Sequence, residues 1–295
     1  MEGGYSKKSQ FRKKHCSPTK KRLPYSCLSK KLLLLFAKAI NSIGDETIII
    51  KGKSNKYIYN RISHIMKHSF NCKSEACWLN IRKIMNQLSP KDVSLFKEYF
   101  RPQMPDDIVD DYTEWISNFD IESVMNQYHN DLDDFYFYGA VPIDFNKCSV
   151  SQLCKFNLSQ HISNGIRKIG IIFNTDKSNK PGKHWISMYI DIYGKNLHGQ
   201  PGIYFFDSFA SNLVKEIKRL ITLIKKQGDK HNIEFISTHN TKPIQNNTFS
   251  CGFYCMHFLE HMIRGLPFKQ YIKSGLTDKK MIQYRNHCFL NPKEI

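Results

Sequence analysis

The hydrophobic pattern of the chain changes about halfway along, and this change restricts the fold more than any other feature. An apolar stripe at helical spacing predicts a helix over about 211–226, and another helix is predicted to begin at Cys251. Helices mixed with short strands in this way predict an α+β domain. The strands are predicted from runs rich in β-branched and aromatic residues, separated by turn residues, at 135–145, 168–175, 184–193, 203–207 and 233–237.

The first half of the chain has helical rather than strand-like spacing. Leu32, Leu35 and Phe36 recur on one helical face, and Ser89 before Pro90 is typical of a helix N-terminus. Two prolines and a group of acids over 101–112 indicate a domain boundary. The sequence therefore predicts three parts, which are a basic and disordered arm at 1–26, a helical domain at 27–112 and an α+β domain at 113–295.

The net charge of +18 is concentrated in part at the amino end. Residues 1–31 carry ten Lys or Arg and one acid, which suits nonspecific contact with a phosphate backbone, although a solvated tail is the favoured interpretation. No apolar run approaches the roughly 20 residues that a membrane span needs, and no convincing cleavage site for export follows residues 32–36. The sequence predicts neither a membrane span nor secretion.

The nine cysteines are an odd number without a regular framework. We therefore expect free thiols and a reducing compartment, with the cytosol as the default. His64, His68, Cys72 and Cys77 have the ligand types and local spacing of a zinc site. The alternative, which we favour, is two ordinary histidines on a helix and two free thiols, so no metal or other cofactor is predicted.

Four polar side chains follow one another in an order that suits nucleophilic catalysis by a thiol. His184 opens one predicted strand, Asp207 ends the next, and Gln245 lies six residues before Cys251. A thiol attacks a carbonyl as the thiolate, which a helix N-terminus and a neighbouring histidine both favour. In this arrangement Asp207 orients the histidine, and the Gln245 amide joins the backbone N–H of Cys251 as an oxyanion donor. Gly252 leaves room for the substrate backbone.

Three neighbouring residues leave alternatives open. Asp191 lies at the end of the strand that His184 opens and could replace Asp207 as the orienting acid, although Asp207 is favoured. Trp185 is either one wall of a narrow substrate slot or a core aromatic residue. Cys255, one helical turn after Cys251, is expected to be an inert buried thiol rather than a redox partner.

The residues Gly182 to Trp185 (GKHW), Asp207, and Gln245 followed by Cys251 and Gly252 resemble the ubiquitin-like-protein-specific protease family, which includes the adenovirus-type proteases. The resemblance implies a papain-like core, a central mixed sheet flanked by helices. It also implies that His184 is the base, Asp207 its orienting partner, Gln245 the oxyanion donor and Cys251 the nucleophile.

The segments 26–31, 115–128 and 182–185 further resemble the polyprotein-processing proteases of large cytoplasmic DNA viruses, of the African swine fever virus type. This narrower resemblance implies a helical accessory domain, cleavage of structural polyproteins after Gly-Gly, and action in the host cytoplasm and the virion. A slot for two residues without side chains would explain that specificity. Gly3 and Gly4 form such a pair in the chain itself, so self-trimming there is conceivable.

The sequence is also compatible with two other functions. A deconjugase for ubiquitin or a ubiquitin-like modifier would also act after Gly-Gly, although Ser250 stands where cellular deconjugases usually have Asp. An assembly protein that binds nucleic acid through its basic arm, on a dormant protease fold, is the alternative from another class.

Overall fold

A computed structural model describes residues 15–44 and 46–292 of the chain. The described residues up to Met104, with those from Asn286 onward, form one unit, and Pro105–Arg285 form the other. The sequence boundary at 112 therefore lies eight residues beyond the structural one. The last residues join the first unit because the backbone N–H of Met104 donates to the carbonyl of Leu290 at 2.9 Å. No helix in the described part of the chain is long and apolar enough to cross a membrane.

The first unit is helical, as its apolar spacing predicts. Ser29 caps the first helix by accepting from the backbone N–H of Leu32, and Ser89 caps the fifth, where Pro90 occupies the first turn. The buried faces of these helices share one apolar core. The helices are α1 (Lys30–Ser42), α2 (Asn55–Ser69), α3 (Glu75–Trp78), α4 (Arg82–Met85) and α5 (Pro90–Glu98).

The predicted disordered arm is wrong for residues 15–26. Cys16 pairs with Phe100 in an isolated bridge, and the backbone N–H of Ser17 donates to the carbonyl of Tyr99 at 2.9 Å. Lys20 forms a 2.9 Å ion pair with Glu98. The segment is ordered because it adds backbone hydrogen bonds to the end of α5, which apolar spacing alone does not reveal. Residues 1–14, with most of the basic arm and the Gly3-Gly4 pair, lie outside the described residues.

The second unit is built on one five-stranded sheet with strands in chain order. The outer pairs β1–β2 and β4–β5 are parallel, and β2–β3 and β3–β4 are antiparallel. This mixed sheet flanked by helices confirms the predicted fold class. The strands are β1 (Phe135–Pro142), β2 (Lys168–Asn174), β3 (Trp185–Asp191), β4 (Gly202–Phe206) and β5 (Ile236–His239).

Helices cover both faces of this sheet, and its three central strands are almost wholly buried. One face packs its isoleucines against α9, and the other packs against α10. Gly170 permits the close approach of α10, because a Cβ there would lie 2.9 Å from Phe135 and 3.3 Å from Leu259. The helices are α6 (Asp106–Asp110), α7 (Asn118–Asp131), α8 (Leu158–Ser163), α9 (Lys215–Asp229), α10 (Cys251–Ile263), α11 (Phe268–Ile272) and α12 (Asp278–Cys288).

The expectation of free thiols is wrong for six of the nine cysteines. The structure contains the disulfides Cys16–Cys27, Cys72–Cys77 and Cys148–Cys154, and the three remaining cysteines are buried thiols that are not in disulfides. The zinc candidate is also wrong, because Cys72 and Cys77 are bonded to each other. The turn between α2 and α3 brings the Cα atoms of Cys72 and Cys77 to 5.7 Å. Their spacing in the sequence does not distinguish a disulfide from a pair of metal ligands.

Thiol titration of the denatured protein tests this pairing. Without reductant we expect three reactive thiols, from Cys251, Cys255 and Cys288, and after full reduction we expect nine. The protein should be denatured and titrated under nitrogen, so that air oxidation after lysis adds no disulfides. Nine thiols before reduction would restore the expectation from the sequence.

Candidate active site

His184 and Asp207 meet at one edge of the sheet because their strands are antiparallel neighbours. His184 directly precedes β3, Asp207 directly follows β4, and Ser187 lies opposite Phe206 in the register. The Nε2 atom of His184 donates to Oδ1 of Asp207 at 2.7 Å, and both side chains are largely buried. The sequence prediction that these two residues lie together agrees with this geometry.

The carboxylate of Asp207 is held by several donors besides His184. The backbone N–H groups of Phe209 and Ser211 donate to it at 2.9 and 3.1 Å. Asn240 bonds both the N–H and the carbonyl of Asp207, at 3.1 and 2.6 Å, and so fixes its backbone. Burial alone would raise the pKa of Asp207, but the hydrogen bond and charge of His184 hold that pKa below its ordinary value. The group is therefore an anion that orients the imidazole.

Asp191 has a different role from the one considered as an alternative. Its carboxylate accepts from the backbone N–H groups of Gly194 and Asn196 at 2.9 and 2.7 Å, closing the turn after β3. Asn196 in turn donates to the carbonyl of Met262 at 2.8 Å, near the end of α10. Asp191 thus stabilises the packing of a turn and does not contact His184.

Cys251 is the first residue of α10 and its side chain is buried, with 1% exposed. Cys251 lies close enough to His184 to influence its ionisation, while the Nε2 atom of that ring bonds Asp207. Burial would lower the pKa of His184, but the hydrogen bond with Asp207, the neighbouring Cys251 and the charge of Asp207 raise that pKa to about 9. His184 is therefore an imidazolium at neutral pH, held by the carboxylate of Asp207 and close to the sulfur of Cys251.

The amino end of α10 supplies donors beside this sulfur. The first backbone N–H groups of a helix have no partner within it, and the helix dipole favours negative charge there. The Gln245 side chain is fixed nearby, with Oε1 accepting from Ser208 Oγ at 2.5 Å and Nε2 donating to the carbonyl of Asn247 at 2.8 Å. Its second Nε2 contact, 3.3 Å to Asn247 Oδ1, is long enough to exchange for a stronger acceptor.

Gly252 is packed against protein in the structure. A Cβ at Gly252 would lie 2.6 Å from two carbon atoms of Ile116 and 3.3 Å from the Trp185 ring. The indole N–H of Trp185 donates to the Ile116 carbonyl at 3.1 Å, which holds the two residues together. The space that the sequence interpretation gives to substrate backbone is thus filled by Ile116, and Trp185 forms a wall next to it.

Cys255 is an unreactive thiol by its surroundings. It is fully buried, and burial raises its pKa far above the ordinary value. This agrees with the expectation of an inert thiol one turn after Cys251.

Several supporting residues were missed in the sequence. Ser208 and Asn240 hold Gln245 and Asp207, and Asn247 accepts from the backbone N–H groups of Phe249 and Ser250 at 3.2 and 3.0 Å. The pair of asparagines directly after Gln245 was a local signal for a hydrogen-bonded turn before the helix. Nothing local points to Asn240 or Ile116, because their contacts depend on the fold.

Comparisons with known proteins agree with this geometry. Residues 165–295 match the Ulp1 protease family, C-terminal catalytic domain. A protein of Acanthamoeba polyphaga mimivirus that is named as a thiol protease is 30% identical, and the match covers 84% of this chain and 79% of that protein. A cysteine protease of African swine fever virus is 22% identical over 76% of this chain and 85% of its own length, and in some isolates it is named SUMO-1 cysteine protease.

The fold has a counterpart among solved structures as well. The crystal structure of the African swine fever virus protease superimposes with a TM-score of 0.67 at 19% identity, covering 94% of this chain and 95% of that one. The similarity therefore extends over the helical unit as well as the unit that contains the sheet.

Proposed function

The chain belongs to the Ulp1 protease family and is a cysteine protease, and from this premise we propose that it is a viral endopeptidase that cleaves structural polyproteins after Gly-Gly. Cys251 is the nucleophile, His184 the base, Asp207 its orienting partner, and Gln245 a donor to the oxyanion. The observation that carries this assignment is the 2.7 Å hydrogen bond between His184 and Asp207, together with the influence of the neighbouring Cys251 on the pKa of His184.

The chemical steps follow from the order of these contacts. The thiolate of Cys251 attacks the scissile carbonyl, and the negative charge that develops on oxygen faces the amino end of α10. The imidazolium of His184 then gives its proton to the leaving amine, leaving a thioester on Cys251. Neutral His184 takes a proton from water, which hydrolyses the thioester and restores the thiolate and imidazolium pair.

Specificity for Gly-Gly is supported by the walls beside the nucleophile. Ile116 and Trp185 are both nearly fully buried where they meet Gly252. The Trp185 indole N–H donates to the backbone carbonyl of Ile116, so both large side chains are held against Gly252, the residue after the nucleophile. Residues without side chains are the ones that fit beside such walls.

Processing of polyproteins is favoured over deconjugation by the extent of the similarity. The family match is confined to residues 165–295, whereas the similarity to the two viral proteases includes much of the helical unit. We propose that the helical unit is an accessory domain for polyprotein substrates, and that the enzyme acts in the host cytoplasm and is carried in the virion.

A paired assay separates the two substrate classes. Purified protein is incubated with Gly-Gly-Xaa peptides from viral structural polyproteins and, in parallel, with electrophilic probes ending in the carboxy-terminal tails of ubiquitin and SUMO. We expect turnover of the peptides and weak labelling by the probes. Rapid labelling by a ubiquitin-like probe without peptide turnover would favour the deconjugase.

Replacing Gln245 by Ala should lower kcat by about 10²- to 10³-fold, the usual cost of one lost oxyanion donor. Because Gln245 does not contact the sulfur, the rate of alkylation of Cys251 by a small electrophile should change little. Gln245→Glu, of the same size but without a side-chain N–H in its ionised form, should be equally impaired. A kcat within about twofold of wild type would remove Gln245 from the mechanism.

The pH profile should follow the titration of His184. Since its pKa is raised to about 9, the imidazolium that protonates the leaving amine persists through neutral pH and is lost as the pH rises through that value. We therefore expect the alkaline limb of kcat/KM to fall near pH 9. Asp207→Asn removes the charge that raises this pKa, so the limb should move to lower pH. An unmoved limb would show that another group controls it.

A further inference from the structure

A groove with a volume of about 700 Å³ begins at the residues beside the nucleophile. Ile116 and Trp185, which pack against Gly252, form its inner end. From there the groove runs under the connection between β2 and β3, which includes Lys177 and Lys180. A groove that includes neighbours of the catalytic residues and lies wholly within one unit can hold several residues of an extended substrate.

Two lysines give this groove its charge. Of the described residues that line it, only Lys177 and Lys180 are ionised. Both are exposed, and neither ammonium group pairs with a carboxylate of the described chain. The remaining lining is aromatic, aliphatic or neutral polar, so these two ammonium groups are the charges that the lining itself presents to a bound peptide.

The segment that carries these lysines is fixed by hydrogen bonds at both ends. The Oδ1 atom of Asn174 accepts from the backbone N–H groups of Asp176 and Lys183 at 2.9 and 3.1 Å. Asp144 accepts from the backbone N–H and the hydroxyl of Ser178 at 2.8 and 3.0 Å. Because the nearby acid Asp144 is used in this way and also pairs with Lys147, it leaves Lys177 and Lys180 unpaired.

Another part of the groove wall is held by a covalent bond. Ser149 and Val150 line the groove and lie within the loop that the Cys148–Cys154 disulfide closes. A wall tied in this way has fewer conformations to lose when a peptide binds. The groove is thus largely formed before substrate arrives.

We propose that this groove binds an acidic stretch of the substrate within about six residues of the scissile bond, and that Lys177 and Lys180 select it. The proposal rests on the proposed function, since it assigns the groove to the same protein substrate. Two compact ammonium groups on exposed stems favour carboxylates by long-range attraction rather than by a fixed fork, so the preference should be for acidity over several positions. It should also weaken as salt is added.

Digestion of a peptide library derived from a whole proteome tests the proposal without choosing the cleavage site in advance. The cleaved sequences are read over six positions on each side of the cut. For the wild-type protein we expect Asp and Glu to be enriched on one side of the cut, with synthetic pairs that differ by Glu-Glu against Ser-Ser showing about a three- to tenfold difference in kcat/KM, the size expected for partly exposed charge pairs.

The double variant Lys177→Glu and Lys180→Glu should lose or reverse this preference while still cutting the neutral peptide. The control is the double variant Lys215→Glu and Lys218→Glu, on the exposed face of α9, which changes the net charge equally but away from the groove. This control should keep the preference for acidic peptides. Thermal unfolding confirms that both variants fold.

The outcomes separate this inference from the proposed function. Gly-Gly at the cut without acidic enrichment, or an enrichment that the groove variant retains, overturns the inference alone. Acidic enrichment around cuts that lack Gly-Gly overturns the proposed specificity and supports the groove. A library left uncut by wild-type protein counts against both.

Discussion

The Cys251→Ala protein is expected to show no measurable cleavage of a Gly-Gly-Xaa peptide. Without the sulfur no thioester can form, and the remaining oxyanion donors and substrate contacts cannot replace a nucleophile. We expect kcat/KM to fall by about 10⁴-fold or more, the size seen when the nucleophile of a triad is removed. The measurement is peptide turnover by mass spectrometry, which detects slow background cleavage.

The fold should survive this change, because alanine is smaller than cysteine and the thiol contributes no disulfide. Cys255→Ala is the matched control, since it removes a buried thiol one turn later on the same helix that does not serve the reaction in this account. It should retain activity, with at most a small loss of thermal stability. Full activity in Cys251→Ala would remove the proposed mechanism altogether.

Loss of His184 should have the second largest effect. His184→Ala removes both the cation that stabilises the thiolate and the acid that protonates the leaving amine, so kcat/KM should fall by about 10³- to 10⁴-fold. The alkylation of Cys251 by iodoacetamide near neutral pH should slow as well, because less of the sulfur is ionised. Peptide turnover and the rate of alkylation are measured on the same preparation.

His231→Ala is the control for this variant, because the imidazole of His231 hydrogen bonds with Ser159 at 2.6 Å, away from the triad residues. It should keep both rates. If His184→Ala cleaved the peptide at the wild-type rate, another base would have to be sought. If His184→Ala slowed peptide cleavage but not the alkylation of Cys251, His184 would act only as the acid that protonates the leaving amine.

The sequence predicted the sheet and the site because both depend on local signals. The strands after residue 168 are short and β-branched and lie between turn residues, and four of the five strands begin within one residue of the predicted starts. The fifth, β5, is shifted to Ile236–His239, since residues 233–235 complete the turn after α9 instead. His184, Asp207 and Cys251 could be found because each lies at the end of an element, where side chains from different elements meet.

What the sequence could not show depends on contacts between distant segments. Three disulfides replaced the expected free thiols, since the partners of a cysteine are set by the fold and not by spacing. Ile116 lies against Gly252, 136 positions away in the chain, so the filled space beside the nucleophile could not be anticipated. Residues 15–26 are likewise ordered because they pair with the end of α5.

The disulfides also bear on where the enzyme works. Disulfides are rare in proteins that remain in a reducing cytosol, and three of them in one chain would be unusual there. We propose that they form when the protein is no longer exposed to that environment, as in a particle. Comparison of the thiol count in infected cytoplasm and in purified particles would test this.

Covalent trapping tests the central claim, that Cys251 is a nucleophile activated by His184, most directly. The wild-type protein is treated with a short peptide whose Gly-Gly end carries an aldehyde or vinyl electrophile, and intact mass and peptide mapping locate the adduct. The account predicts one adduct, on Cys251, that forms far more slowly in His184→Ala and does not form on Cys255 or Cys288. An adduct on another residue, or no adduct on an enzyme whose turnover continues undiminished, would contradict it.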